Sequence, residues 1–447
     1  MVNYKTPNVY IEEISKLPPS VAGVSTGIPA FIGYTEKAED NGEDLTNVPT
    51  RITSLLEYET FFGLAKATEI EVTTDGDEIT NIVITEPIFL MYYALQMFFN
   101  NGGGACYIVS VGPYTSDDSK DPALFTDGLA ALKKEDEPTL ILLSDAVNLD
   151  TTSDYYGLCV EALAQCNTLQ DRFAVFDVVQ EDSDPITDAA AFRSAVSSEY
   201  LNYGAAYYPY LQTSLNYYYT DDSVTVDVTG TLGEIKDTQG ALYNAIKSEI
   251  SKKRIILPPS SAIAGVYARV DRDRGVWKAP ANVSLASVTV PTVKITNEDQ
   301  EDLNVDTIAG KSINAIRYFT GKGVLVWGAR TLAGNDNEWR YVPVRRLFIY
   351  VEESVQQATE FAIFEPNVSV TWLKVKSMIE SFLEGLWRQG ALAGSTAEQA
   401  FFVNVGLGVT MTSQDILEGR MNVEIGLAAV RPAEFIILKF SHKLQEA

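Results

Sequence analysis

From Cys106 to Lys253 short apolar runs alternate with longer mixed segments. CYIVSV (from Cys106), PTLILLS (from Pro138), RFAVFDVV (from Arg172) and GAAYYPYL (from Gly204) have the length and β-branched or aromatic content of buried strands. Between them the pattern predicts helices beginning near Pro122, Ser153, Pro185 and Thr238. Asp121 before Pro122, and Asp184 before Pro185, fit an N-cap followed by proline at the first helical position. Strands alternating with helices predict a mainly parallel sheet covered by helices, an α/β fold. Ahead of this region, EPIFLMYYALQMFFNNGGG reads as a helix stopped by Gly102, Gly103 and Gly104. Glu69–Thr85 and Tyr217–Thr229 alternate polar and β-branched residues and predict projecting hairpins, the first turning at Asp75-Gly76.

After Pro258 the character changes, and the chain overall becomes α+β. Helices are predicted around Val355–Phe364 and Ser369–Gln389, the second interrupted by Gly385. Trp372, Ile379, Phe382, Leu383 and Leu386 share a face at helical spacing and read as a core face. Three strands follow: Phe401–Leu407, Met421–Ala428 and Glu434–Ser441. Around Arg345 and Arg346 the run looks like a strand, which would point the two guanidinium groups to opposite faces. One is expected inward near Glu352 or Glu353, and the other outward as a candidate interface residue. Asp302–Gly310 has no clear period.

The two ends pose a pairing problem. Residues 1–20 contain the strand-like Val9-Tyr10-Ile11 and the rigid Leu17-Pro18-Pro19, and cannot form a core alone. An extended segment with unpaired amides needs a sheet edge, in its own chain or in another. Val9 and Ile11 would share one face, Tyr10 and Glu12 the other. At the far end Ile436, Leu438 and Phe440 alternate with Phe435, Ile437 and Lys439.

Composition narrows the function classes. With 447 residues at 46% hydrophobic content the chain can bury a large core in two or more domains. No apolar run approaches the ~18 residues of a membrane span. MVNYKTPN lacks the apolar region of a signal peptide, so synthesis and assembly in the cytoplasm are expected. The three cysteines, Cys106, Cys159 and Cys166, read as buried thiols. A formal charge of -26 argues against nucleic acid as a partner and makes free copies repel. The short basic runs Lys252–Arg254 and Arg345–Arg346 are too small to reverse that. His442 is the single histidine, so histidine triads and metal clusters lack material. There is no phosphate loop, and the three glycines follow a helix instead of opening one. Among 60 acidic residues a pair such as Glu352-Glu353 arises by chance, and Lys311 and Lys322 have no nucleophile motif around them. No catalytic, cofactor or metal residue is assigned.

Four blocks carry a resemblance. The N-terminus reads YKTPNVYIEEISKLPPSVAGVSTGIPAFIGYTEKA, and Pro258 to Leu285 reads PPSSAIAGVYARVDRDRGVWKAPANVSL. GKGVLVWGARTLAGNDNEWRYVPVRRLFIYVEES runs from Gly321 to Ser354. The last block joins FEPNVSVTWLKVKSMIESFLEGLWRQGALAGSTAEQAFFVNVG to DILEGRMNVEIGLAAVRPAEFIILKFSHK. Together they resemble contractile tail sheath proteins, departing at Asn8, where glycine is usual, and Ala429, where proline is common. The resemblance implies a C-terminal core domain (258–447) completed by an N-terminal arm (1–30), with an inserted outer α/β domain (31–257). It implies no enzyme activity. Val9, Tyr10, Ile11 and Glu12 of the arm, and Phe435 to Phe440 of the last strand, would complete sheets in neighbouring subunits. The outward arginine of Arg345 and Arg346 would face a neighbour or an inner tube. The implied partners are further copies of the chain in a helical homopolymer, an inner tube protein, and baseplate and terminal cap proteins. A recycling or assembly ATPase is an optional addition; nucleic acid and membrane insertion are not implied. The expected setting is a phage-tail-like contractile injection particle, with a contractile bacteriophage tail as the alternative and an oligomeric α/β enzyme as the outside one.

Overall fold

Pro29–Thr35 (β1) is buried along its whole length, as expected of a central strand covered on both faces. The computed structural model describes residues 21–115, 119–181, 184–227, 230–435 and 437. After β1 the chain forms Thr50–Ile52 (β2), the hairpin Ile70–Asp75 (β3) and Glu78–Ile84 (β4), and helix Met91–Asn100 (α1). Strand and helix then alternate: Cys106–Pro113 (β5), Pro122–Leu132 (α2), Leu140–Leu143 (β6), Thr152–Leu169 (α3), Phe173–Asp177 (β7), Pro185–Ala195 (α4) and Gly204–Tyr208 (β8). The expected caps form, with Asp121 Oδ1 accepting from Ala123 N at 2.9 Å and Asp184 Oδ2 from Thr187 N at 3.1 Å. Next come Val224–Val226 (β9), Gly230–Thr231 (β10), Gly240–Ile250 (α5), Ser260–Arg274 (α6), Val283–Ser284 (β11) and Asn297–Asn304 (α7). Ile313–Phe319 (β12), Gly323–Val326 (β13) and Val342–Thr359 (α8) follow, then Ser369–Arg388 (α9), Phe401–Val405 (β14) and Val423–Leu427 (β15).

The main sheet runs β11-β13-β12-β8-β7-β6-β1-β5-β2. Its six central strands, β12 to β5, are parallel, and the edges are antiparallel. Helix α1 packs against α6, while α2, α3 and α4 pack in series. Cys106, Cys159 and Cys166 are buried free thiols in this core, and burial pushes the Cys106 and Cys166 thiols far up.

The order β5-β1-β6-β7-β8 places a topological switch point beside β1, where doubly wound sheets usually bind ligands beyond the carboxyl ends of the strands. Here the protein fills that crevice with its own carboxylate. Asp145 follows β6 and accepts from Tyr34 N at 2.6 Å, from Met91 N at 3.0 Å and from Leu90 N. Gly33 is required beneath it, since a Cβ there would lie 2.2 Å from Asp145 Oδ2. Asp177, at the end of β7, accepts from Ser260 N at 2.7 Å at the start of α6. Burial raises both carboxyls to about 7 against the pull of these amides. The space left nearby, lined by Leu90, Ser144 and Ser260, is a cavity of about 10 Å³, no more than one water.

A second, small sheet runs β10-β9-β3-β4. Of the hairpin expected over Tyr217–Thr229, the described residues contain one strand, β9, which lies parallel to β3 and antiparallel to β10. At the end of β9 the Asp227 carboxylate accepts from Thr74 N at 2.7 Å, which ties the crossing to β3. The turn of the first hairpin is Gly76-Asp77, one residue later than expected, since Asp75 still pairs with Glu78. The hairpin is also less detached than expected. Ile70 and Val72 join Val224, Val226, Leu232 and Ile246 in a separate apolar cluster under α5.

The described chain divides into two compact units, Ser25–Tyr350 with the residues from Arg431, and Val351–Val430 with those before Ser25. The boundary expected at 257/258 therefore falls inside a continuous sheet, where β12 pairs with β8. The change in local pattern at Pro258 marks a change of helix length, not a break in the core. Asp302–Gly310, unreadable from periodicity, is the end of α7 and a loop built on Asp306, whose carboxylate accepts from Ile308 N, Ala309 N and Lys311 N.

Two outcomes follow. Replacing Val72–Val83 with a Gly/Ser linker uncovers Val224, Val226 and Ile246; limited proteolysis should then cut within 220–250 while β1 and β5 to β8 stay protected. An unfolded aspartate titrates near 3.9, and the folded Asp145 and Asp177 near 7, so the folded state binds the extra protons. That stability is complete below about pH 4 and is lost as pH rises through 7. Asp177→Asn should flatten the fall in melting temperature between pH 5 and 8 measured for the unaltered protein.

Candidate assembly interface

The sequence points to three places for contact between copies: the arm around Val9, Tyr10, Ile11 and Glu12, the strand Phe435 to Phe440, and Arg345 with Arg346. The arm lies outside the described residues, as do Ile436, Leu438, Lys439 and Phe440.

The arginines are corrected. They sit in the first two turns of helix α8, not in a strand, and both are buried at 4% exposure. Val342, Val344, Leu347, Ile349 and Val351 are all buried too. Burial on nearly every side of a helix erases its 3.6-residue period, and β-branched residues then mimic a strand. Pro343 fits only because it lies at the start of the helix. Arg346 is paired with Asp271 of α6 instead of Glu352 or Glu353: Nη2 donates to Oδ2 at 2.5 Å and Nη1 to Oδ1 at 3.0 Å. Nη2 also donates to Thr26 O at 2.7 Å, and Thr26 Oγ1 donates to Asp271 Oδ2 at 2.8 Å. The Tyr267 ring lies 4.6 Å below the guanidinium. Arg345 is held between Tyr203 at 4.4 Å and Trp339 at 4.7 Å and donates to Tyr203 Oη at 3.0 Å. Neither guanidinium is an outward contact. Both are braces of the fold.

The C-terminal segment begins with an unforeseen fixture. Arg330 Nε donates to Glu434 Oε1 at 3.0 Å and Nη2 to Oε2 at 2.6 Å. Asn304 Nδ2 and Tyr341 Oη donate to the same carboxylate at 2.8 and 3.1 Å. Burial would raise the Glu434 carboxyl, but hydrogen bonds from Arg330 and Asn304 hold it below the usual range. Immediately beyond, Phe435 is 70% exposed and Ile437 80% exposed. Glu434, Phe435 and Ile437 are not in a strand, where one was expected from Glu434 to Ser441. A signal was present in the sequence: a glutamate within RPAEF opposite an arginine in GARTL.

In the unit Val351–Val430, β14 and β15 form a two-stranded antiparallel sheet with Phe401 opposite Leu427 and Val405 opposite Val423. Among the described residues it has no third strand, and a lone pair of strands is marginal in water. Val403 is buried against helix α9, while Phe402 on the other face is 48% exposed. Its ring lies over Gly426, where a Cβ would come within 2.1 Å. Beside β15 is an apolar recess of about 820 Å³ lined by Val355, Val375, Ile379, Met421, Val423 and Ile425. The expected core face of α9 forms through Ile379, Leu383 and Leu386, with Val375 and Met378; Trp372 and Phe382 are only half-buried.

Residues 123–332 match the phage tail sheath protein central domain, and residues 334–443 the phage tail sheath C-terminal domain. The chain belongs to the contractile tail sheath family. It is similar over 99% of its length, and 99% of the other chain, to the PVC sheath of an extracellular contractile injection system in the contracted state, with 33% identity and a TM-score of 0.68. The contracted helical sheath of the anti-feeding prophage is 34% identical over 98% of this chain and 100% of that one, with a TM-score of 0.67. A putative prophage major tail sheath protein of Pseudomonas aeruginosa (strain UCBPP-PA14) is 24% identical, the match spanning 40% of this chain and 44% of that protein. For the tail sheath protein of Vibrio phage KVP40 the figures are 25% identity, 30% and 20%. The chain thus spans less than half the length of these curated relatives. The family is one of structural sheath proteins, not of enzymes. Among the described residues no helix is long and apolar enough to cross a membrane.

Arg346→Ala leaves a buried carboxylate unpaired and should lower monomer stability by ~3–5 kcal/mol, read from urea unfolding. Arg346→Met with Asp271→Leu should recover most of that loss, because both charges then leave the interior together.

Proposed function

We propose that this chain is the repeating subunit of a contractile sheath in a phage-tail-like injection particle. Copies polymerise as a helical tube around an inner tube, and contraction drives that tube through a target envelope. The observation that carries the reading is end-to-end likeness to two sheaths of contractile particles, at about one residue in three. The chemistry fits: a filament of many weakly held copies needs edges and apolar recesses, whereas the crevice where a doubly wound enzyme would bind its ligand is filled by Asp145.

The β14–β15 sheet is proposed as the acceptor for strands of neighbouring subunits. Its ladder has room for added strands among the described residues, and backbone hydrogen bonds would supply affinity while alternating side chains fix register. The donors are the arm around Val9, Tyr10, Ile11 and Glu12, and the segment from Phe435 to Phe440. Ile437 and Phe435 are exposed apolar side chains that such pairing would cover. Contacts of this kind run head to tail and do not close on themselves, so they build a helix and not a ring. An extended linker can also change direction while its ladder survives, which lets subunits reorient without leaving the lattice.

Inner tube, baseplate and terminal cap proteins are the proposed partners, with a recycling or assembly ATPase as an optional one. Assembly is placed in the bacterial cytoplasm, followed by release or anchoring of the particle. The tail of a contractile bacteriophage remains the second reading, favoured by the phage origin of the Vibrio relative. A capsid gene beside this one would decide for the phage.

Deleting Met1–Ile14 should give a soluble protein with near-native melting that builds no sheath, and electron microscopy is the test. Proline at Val9 or at Ile11 removes a ladder hydrogen bond, and at least one of the two should block assembly. Normal-length contractile sheaths from the deleted protein would falsify the linkage.

A further inference from the structure

The Glu434 carboxylate receives hydrogen bonds from Arg330, Asn304 and Tyr341, three segments of the unit Ser25–Tyr350. That is far more than a surface glutamate needs. We infer that Glu434 is the anchor of the C-terminal linker: it fixes the point where the linker leaves the body and passes tension on the linker into the main sheet. This rests on the proposed linkage of subunits through their C-terminal segments.

Each step inward is tighter than the one before. The Arg330 side chain is 5% exposed and that of Glu434 23%, so the pair is shielded from the water and salt that weaken surface ion pairs. The bidentate fork fixes direction as well as distance. Arg330 is in turn fixed along its backbone. Its N–H donates to Asn314 Oδ1 at 2.7 Å, and its carbonyl accepts from Asn314 Nδ2 at 2.8 Å. Asn314 is 1% exposed in β12, and its Nδ2 also donates to Ala206 O of β8. Arg330 Nη1 further donates to Asn304 O at the end of α7, a carbonyl that Ser312 Oγ also engages. A pull on residue 435 therefore meets Glu434, then Arg330, then two central strands. On the other side of Glu434 the character reverses at once, with Phe435 and Ile437 mostly exposed. The transition from fixed to free side chains takes one residue.

The arrangement differs from a stability device. The carboxylate secures a segment that crosses no core and contributes no strand to the main sheet among the described residues. Losing it should loosen the exit of the linker and leave the sheet intact.

The test compares three chains: Glu434→Ala, Glu434→Gln and a deletion of Leu438–Ala447, each purified and also built into whole particles. In the purified protein, chymotryptic cleavage after Phe435 should accelerate at least tenfold in Glu434→Ala while amides 313–319 stay protected, although the melting temperature falls because Arg330 is left buried without its carboxylate. In particles, Glu434→Ala sheaths should form and then break into short pieces when contraction is triggered. Glu434→Gln, which keeps one acceptor oxygen but not the charge, should give intermediate cleavage and breakage. The deletion should form no sheath. If the deleted protein builds normal sheaths, the linkage reading fails, and the anchor has no load to carry. If the deletion blocks assembly while Glu434→Ala sheaths contract intact, the anchor is overturned and the linkage stands. If both Glu434 variants fail to fold, Glu434 is a core residue and the anchor is likewise overturned.

Discussion

A guanidinium taken out of water must find partners for its charge and its N–H groups, and much of this fold is arranged around that requirement. Arg346 is met by Asp271, 75 residues earlier, and the same pair holds Thr26 at the entrance to β1. One ion pair therefore joins the start of the central strand, helix α6 and helix α8. Such a pair gains little over an apolar cluster of equal volume. Its value is in register, since a fork of two hydrogen bonds tolerates less sliding than methyl groups do. Arg345 and Arg330 repeat the arrangement with other partners, two aromatic rings in one case and Glu434 in the other. For a protein that works by being one copy among many, small errors in the pose of each body would add along the filament.

Much of the main sheet was legible because its elements obey local rules. β5, β6, β7 and β8 are short β-branched or aromatic runs, and α2 and α4 carry Asp-Pro starts that need no tertiary help. Family resemblance was legible in blocks rather than in periods. What could not be read was anything whose neighbours lie far away in sequence. The first half of helix α8, from Val342 to Val351, is buried on nearly all sides, so that stretch of sequence carries no amphipathic signature and reads as a strand. β9 reads as half of a hairpin and does pair antiparallel with β10, but its parallel partner, β3, comes about 150 residues earlier and cannot be read locally. The division expected at Pro258 rests on local pattern alone. A change of pattern along the chain is visible, whereas pairing of β12 with β8 is not. At the C-terminal segment, Phe435 and Ile437 are exposed but not in a strand. Glu434 lies within RPAEF, and its partner Arg330 is 104 residues away in sequence, so no local pattern marks the pair.

The switch point beside β1 shows how a fold can keep an architecture and lose the use usually made of it. Tyr34, Leu90 and Met91 present amides to the crevice, the kind of donors that elsewhere receive a phosphate or another anion. Asp145 supplies the acceptor oxygens from within. A site that is already satisfied has no affinity to offer, and a sheet so closed behaves as one stiff piece.

The small sheet carries a different lesson. Its cluster around Val72, Val226 and Ile246 is separate from the main core, with Ile84 packed against both. A substitution in one cluster therefore opens no void in the other. Two cores that scarcely share atoms can drift at different rates over evolutionary time. The region around the Gly76-Asp77 turn can then change without disturbing the packing of the main sheet.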